Sequence, residues 1–187
     1  MKKIIYILTG LCSLMSLTGC NDEEFLKEDP KYFYTPDNVF STASQVDQVL
    51  VSCYSHIRAM YAVEKNSTAN AFRAADGTDM GDRPKFRGSP FNDYYNINPE
   101  NDVYNTNFKH WYYLIAKANL AIYAADLEGI YWGSQQEKDY ALAQAKFFRA
   151  WSYRNLGELY GGVPIVTELV EEPRFDFART TRVETYQ

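Results

Sequence analysis

Between Asp76 and Tyr95 the chain gathers Asp76, Asp79, Asp82, Arg83, Arg87, Asn92, Asp93, Tyr94 and Tyr95. The three carboxylates of Asp76, Asp79 and Asp82 could do one of three things. A facing pair of acids carries out glycoside hydrolysis, but that chemistry is set by separation in space, which spacing along a loop does not fix. Carboxylates also hold Ca²⁺, yet Asp-x-x-Asp-x-x-Asp misses the alternating positions of an EF-hand loop. The third possibility is recognition. Sugar rings offer C–H faces that pack on aromatic rings, and hydroxyls that pair with carboxylates, amides and guanidinium forks. Gly-x-Ser-x-Gly, His-Glu-x-x-His and P-loop patterns do not occur, so neither catalytic residues nor a cofactor is expected.

Each candidate also has a plainer role. Asp79 is as well suited to cap a turn as to bind a ligand. Arg83 and Arg87 are ligand candidates that could equally be solvated. Tyr94 and Tyr95 are neighbours among Asn and Asp residues, so the two rings cannot easily both be buried, and one is expected to face a ligand. Trp132 follows Tyr131 in a short connector, where aromatic rings are harder to bury than in a helix, and both are candidates for contact with a ligand or partner. From Phe86 to Tyr113 there are nine aromatics in 28 residues, against 16% aromatics overall. Phe108, Trp111 and Tyr112 fall at helical spacing and are expected in the core. Cys53 sits on an apolar helical face and reads as a small core residue rather than a nucleophile. His56 and His110 are not in ligand spacing with it, so no metal site is expected.

The first twenty residues set the compartment. Lys2 and Lys3 precede a mainly apolar stretch, Ile4 to Leu17, of 14 residues. This is shorter than the roughly 20 that a spanning helix needs, and it ends in small residues as an export signal does. Removing Lys2 and Lys3 with residues 1–19 leaves 17 positive and 24 negative side chains, a net of −7 against −5 for the whole chain. With a pI near 5.1 and no basic block, nucleic acid is not an expected partner. Asp22-Glu23-Glu24 reads as a solvated tether.

Elements follow from period and punctuation. Residues 21–41, with Pro30 and Pro36, read as an extended tether. Thr42-x-x-Gln45 is a capping-box pattern ahead of Val46, Val49, Leu50, Cys53, Tyr54, Ile57 and Tyr61, predicting a helix over 42–61. Residues 62–105 are broken by Gly and Pro, and a loop of that length is usually functional or disordered; its aromatic content argues for function. A second helix is predicted from Thr106 to Leu127. A third runs from Ser134-x-x-Glu137 to Gly161-Gly162, with Tyr140, Ala143, Phe147, Phe148, Trp151, Leu156, Leu159 and Tyr160 as its apolar residues. The two should form an antiparallel hairpin joined through Gly129–Gly133. Val163 to Val170 is apolar, but Pro164 denies it a central strand position, so it is expected as an extended segment beside the hairpin. Thr181-x-x-Glu184 opens a fourth helix of barely one turn, which predicts that the chain is the front of a longer protein, since one isolated turn does not repay its nucleation.

The run Ala143-x-Ala145-Lys146-Phe147-Phe148-Arg149-Ala150-Trp151-Ser152-Tyr153, continued by Leu159-Tyr160-Gly161-Gly162-Val163-Pro164-Ile165-Val166, resembles the signature of SusD/RagB-type lipoproteins. Trp111-Tyr112-x-x-Ile115-x-x-Ala118-Asn119 and Arg179-x-Thr181-x-x-Glu184-x-Tyr186 fall in that family's order. Leu17-Thr18-Gly19-Cys20 resembles a bacterial lipobox, which implies a thioether-linked lipid on Cys20 as the mature N-terminus. Two or more acyl chains, at about 0.8 kcal/mol per buried CH₂, hold a protein stably at a membrane. Acidic residues just after such a cysteine resemble the export signal of surface lipoproteins in Bacteroidetes.

The resemblance implies an all-α fold of tetratricopeptide-like helical hairpins with long loops, ending here after the first helix pair or pairs. Residues 1–19 would be the signal peptide, 20–41 the lipidated tether and 42–187 the front of the helical domain. It implies an outer-membrane lipoprotein facing the cell exterior. Such a protein binds an oligosaccharide or other nutrient, caps a SusC-like TonB-dependent transporter and performs no catalysis. Asp79 stands where the family often has an aspartate after its first helix. Two rival functions share the address: a lid or scaffold of the transporter with no ligand site of its own, and a surface glycoside hydrolase. Arg149, although part of the signature, is expected to make an internal ion pair.

Overall fold

The computed structural model of the chain describes residues 34–61, 79, 100 and 102–187. Among the described residues of the compact unit Pro36–Gln187 there are five helices: α1 (Pro36–Val39), α2 (Ala43–Tyr61), α3 (Asp102–Asp126), α4 (Gln135–Tyr160) and α5 (Arg182–Tyr186). Among the described residues there is no strand, only an isolated parallel bridge between Thr42 and Tyr131. The architecture is all-α.

The helix starts are set by side chains that take up the orphan amides of the first turn. Before α2, Gln45 Oε1 accepts from the backbone N–H of Ser41 at 2.7 Å and of Thr42 at 2.9 Å. Ser134 Oγ accepts from the N–H of Glu137 at the head of α4, while the Glu137 carboxylate reaches back to the N–H of Gly133 rather than to Ser134. At α5 the box is complete, with Glu184 N–H on Thr181 Oγ1 and Thr181 N–H on Glu184 Oε2. α3 begins at Asp102, four residues ahead of the sequence expectation.

α3 and α4 form an antiparallel hairpin. The hydroxyl of Tyr160 at the end of α4 donates to the carbonyl of Tyr104 near the start of α3, and Lys138 near the start of α4 meets Asp126 at the end of α3 at 3.0 Å. Alanines at 118, 121, 124 and 125 on α3 and at 141 and 145 on α4 are all buried, which lets the helices approach closely. α2 packs across the pair through Leu50, Cys53 and Met60, against Trp111, Leu114, Ile115, Phe148 and Leu156. Phe148 is 1% exposed, and losing such a side chain costs about 3–5 kcal/mol. Phe108, Trp111 and Tyr112 all join this core, Trp111 fully and the other two in part. The apolar face predicted for α4 is partly displaced. Tyr140, Phe147 and Leu159 are exposed, and Ala141, Ala145, Ser152 and Tyr153 are buried instead.

After α4 the chain runs as an extended strap, residues 163–170, along the hairpin, as Pro164 requires. An extended segment without a strand partner leaves its backbone polar groups to side chains. Asn119 on α3 donates through Nδ2 to the carbonyls of Val166 (3.0 Å) and Glu168 (2.9 Å). Arg149 on α4 donates to Asn119 Oδ1 (3.0 Å) and to the carbonyl of Thr167 (2.8 Å). Tyr112 donates to the carbonyl of Pro164. The Tyr153 hydroxyl receives the N–H of Val166 and lies 3.0 Å from that residue's carbonyl. Among the described residues Arg149 does not make the ion pair expected of it. Its guanidinium serves carbonyl-type oxygens, because what the strap offers on that side is backbone rather than a carboxylate.

The glycine pair ending α4 has two separate causes. Gly161 takes φ 75°, a conformation that disfavours any Cβ. A Cβ on Gly162 would lie 1.9 Å from the carbonyl oxygen of Thr180, so the returning chain can approach only if that position is bare. Arg179 then donates to the carbonyls of Tyr160 and Gly162, covering the C-terminal end of α4. Thr180 Oγ1 donates to the carbonyl of Val163, and Thr185, itself buried, bonds the Val163 amide. These contacts hold α5 although it has only five residues. Tertiary contacts here supply what nucleation of so short a helix lacks.

Gly162→Ala is expected to cost about 1–3 kcal/mol, more than the roughly 1 kcal/mol of Gly161→Ala, read as the order of melting temperatures by circular dichroism. Asn119→Ala, which strips the strap of its donors, is expected to cost about 1–3 kcal/mol. In that variant amide exchange should quicken across residues 163–168, while the centres of α3 and α4 stay protected.

Candidate functional site

An open groove of about 700 Å³ lies between α4, the strap and α5. Phe147, Trp151, Ile165 and Tyr186 give it an apolar floor, and Lys146, Arg149 and Arg154 bring three cationic groups to its wall. Helical spacing on α4 sets this arrangement, since residues 147, 150, 151 and 154 share a face beside the one buried in the hairpin. Phe147 is 63% exposed. Trp151 meets Trp111 edge-to-face at 5.2 Å and stacks with Tyr61 at 6.2 Å, so its plane is fixed by the core behind it. Glu184 supplies the groove's carboxylate, held below the usual glutamate range by its hydrogen bonds from Thr181. Aromatic faces beside guanidinium groups can stack on a sugar ring and donate to its hydroxyls.

Of the ligand candidates read from the sequence, the two that are described, Asp79 and Trp132, do not line this groove. Arg83, Arg87, Tyr94 and Tyr95 lie outside the described residues, as does Cys20. Asp79 stands exposed in a turn. Trp132 is partly buried and packs against the core built on α2, α3 and α4, whereas its neighbour Tyr131 is 82% exposed. Of the two connector aromatics, it is Tyr131 that is open to contact.

Cys53 is fully buried, and desolvation raises its thiol to about 11, opposed in part by Lys117. A thiol held neutral in this way is a packing group. Burial likewise raises the phenols of Tyr112 and Tyr153, and that of Tyr160 to about 12. These three remain neutral hydroxyls, each bonded to backbone. Part of the tyrosine excess thus has a structural use: the ring fills the core and the hydroxyl pairs a carbonyl of the strap or of α3. Sequence reasoning placed Asn119, Gly162 and Arg179 in the family-like motifs without giving them these contacts, and passed over Thr180 between Arg179 and Thr181. Among the described residues no three His, Cys, Asp or Glu side chains are grouped to hold a metal ion, and no helix is long and apolar enough to cross a membrane.

A family model for SusD-like proteins, described as starch-binding and associating with the outer membrane, matches residues 24–187. A relative named SusD-like protein P2, from Formosa agariphila, is 25% identical over 172 residues; the match takes in 92% of this chain and 32% of that protein. The chain thus spans about a third of the length of the curated relative it matches. No solved structure matches. The motifs that resembled the family in sequence are those that build the hairpin, the strap and the α4–α5 junction, and with the match running from residue 24 to the last residue the chain belongs to the SusD-like family.

Proposed function

We propose that the protein is a cell-surface lipoprotein that binds an oligosaccharide or related nutrient and delivers it to a SusC-like TonB-dependent transporter in the outer membrane. The observation that carries this reading is the family match over residues 24–187, with its starch-binding and outer-membrane description. Three features of the chain support it. The Leu17-Thr18-Gly19-Cys20 motif suits a lipid anchor on Cys20, and the acidic residues after it suit display on the outer leaflet. The stretch from Asp76 to Tyr95 holds the residue types that grip sugars, with Asp79, Arg83, Arg87, Tyr94 and Tyr95 as contacts and Trp132 beside the exposed Tyr131. No step in this role requires bond cleavage, so the protein acts by binding and without a cofactor.

A second reading, a lid or scaffold with no ligand site of its own, is favoured by one observation. The polar signature residues Asn119, Arg149, Tyr153 and Arg179 all bond to the protein's own backbone. Electrophoresis of the Cys20→Ala protein through gels cast with different polysaccharides separates the readings. Retardation by one polysaccharide is expected. Absence of retardation in every gel, for a chain extended to the relative's full length, would support the lid, and release of sugar would reveal a hydrolase.

Arg83→Ala and Tyr95→Ala are expected to weaken retention by at least about tenfold, as loss of a charged hydrogen bond or of a stacking ring does, with melting temperature within a degree or two of the parent. Retention lost in Phe147→Ala instead would place the sugar in the groove on α4. Cys20→Ala is expected to leave the membrane fraction for the soluble one without unfolding, scored by fractionation and circular dichroism. Continued membrane association of that variant would defeat the anchor.

A further inference from the structure

The seam between α2 and α3 carries a line of polar side chains that the binding role does not use: Ser52 and His56 on α2, His110, Tyr113 and Lys117 on α3. His56 Nε2 lies 3.0 Å from the backbone oxygen of His110. That oxygen can only accept, so Nε2 carries the proton. The His56 ring sits 5.2 Å from the ring of His110 and 5.1 Å from that of Tyr113. One step along the seam, the ammonium of Lys117 donates to the carbonyl of Ser52 at 3.2 Å and stands over the Tyr113 ring at 5.1 Å. The two imidazoles are half-buried beside a shallow cleft that Thr106 and Lys109 complete. Among the described residues the titratable and charged groups that meet the pair are Lys109, Tyr113 and Lys117, all on α3. No carboxylate is among them.

We propose that His56 and His110 form an acid-sensitive latch between α2 and the α3–α4 hairpin. Neutral, the two tilted rings pack together and the His56 N–H ties α2 to the backbone of α3. Charged, they set two imidazolium groups 5.2 Å apart beside two lysines, with no carboxylate among the described residues to offset them, and α2 loosens from a hairpin that stays closed. The geometry is matched by the proton affinities. Desolvation lowers both histidines from the ordinary 6.5; for His56 the hydrogen bond to the His110 backbone works the other way, while His110 and Lys117 lower it further. The unfolded chain therefore takes up these protons at a higher pH than the folded one. Stability from the pair is fully present above the ordinary histidine value, and it is lost as pH falls through that value toward the lower range in which the folded pair itself becomes charged. The alanine seam of α3 and α4 contains no histidine, so acid is expected to act on α2 first.

Hydrogen exchange of the full chain, with the intrinsic pH dependence divided out, tests the latch. Between about pH 7.5 and about pH 5, which bracket histidine titration, protection of the α2 amides is expected to fall about tenfold relative to those of α4. His56→Gln with His110→Gln keeps a donor for the α3 backbone and cannot be charged in this range, and it is expected to hold α2 protection constant. Equal acid sensitivity of α2 in the double variant and the parent would overturn the latch, as would unchanged α2 protection in the parent. Should the double variant fail to fold, NMR titration of the two imidazoles in the parent decides: both are expected to titrate below free histidine, and titration of both at or above it overturns the proposal.

Discussion

The described structure depends on one requirement, that the extended strap after α4 find partners for its backbone without a neighbouring strand. Residues 163–168 present carbonyls to a surface that is otherwise alanine and aromatic, and unpaired carbonyls buried there would cost about 1–3 kcal/mol each. Asn119, Arg149, Tyr112 and Tyr153 are placed on two helices so that their polar ends converge on that one segment. Only an antiparallel hairpin at this register brings Asn119 and Arg149 within 3.0 Å of each other. The strap in turn leads to Arg179 and Thr180, which cover the end of α4 and seat α5. Pairing of one strand-like segment thus fixes the hairpin register, the route of the chain and the position of the last helix.

This arrangement gives the family signature a physical meaning. Its glycines are there because Gly161 needs a positive φ and Gly162 leaves no room for a Cβ beneath Thr180. Its Arg149, Tyr153 and Tyr160 bond the protein's own backbone. The family's motifs can therefore be read from residues 103–187, where helices keep a strict period, whereas the proposed ligand contacts were drawn from a Gly- and Pro-broken stretch of sequence that has none.

Much of the helical layout was legible from the sequence because capping residues and small-residue stops act locally. Ser134 and Glu137 mark the start of α4 and Gly161 its end, within a residue of where the helix lies. Faces were harder. On α2 the apolar positions Val46, Leu50 and Cys53 identified the buried side, but Met60 and not Tyr61 completes it. On α4 apolar residues occupy two flanks, so periodicity alone could not tell Phe148, which is 1% exposed, from Phe147, which is 63% exposed. The start of α3 was missed because Asp102 and Asn105 read with the polar stretch before them, although Tyr104 stands four residues ahead of Phe108. The partner of Arg149 was missed for a more general reason: charge pairing is what a sequence suggests for a guanidinium, whereas bonding to a distant backbone carbonyl leaves no mark in the residue types.

The candidate site divides in the same way. Asp79, Arg83, Arg87, Tyr94 and Tyr95 were chosen for chemistry alone, with no period to say where they point, and a loop residue gains a defined direction only from the elements that anchor it. Those anchors are α2 and α3, which deliver the chain to residue 61 and receive it again at 102. Their mutual packing is set in part by the apolar core of Leu50, Cys53, Met60 and Trp111, which pH does not touch. The rest comes from the His56–His110 contact and from Lys117 reaching across to the carbonyl of Ser52. The two helix ends that bound residues 62–101 are thus held by two kinds of interaction with different sensitivities. Burial keeps them near one another under all conditions in which the core survives, and the polar seam sets how firmly α2 lies against its neighbour.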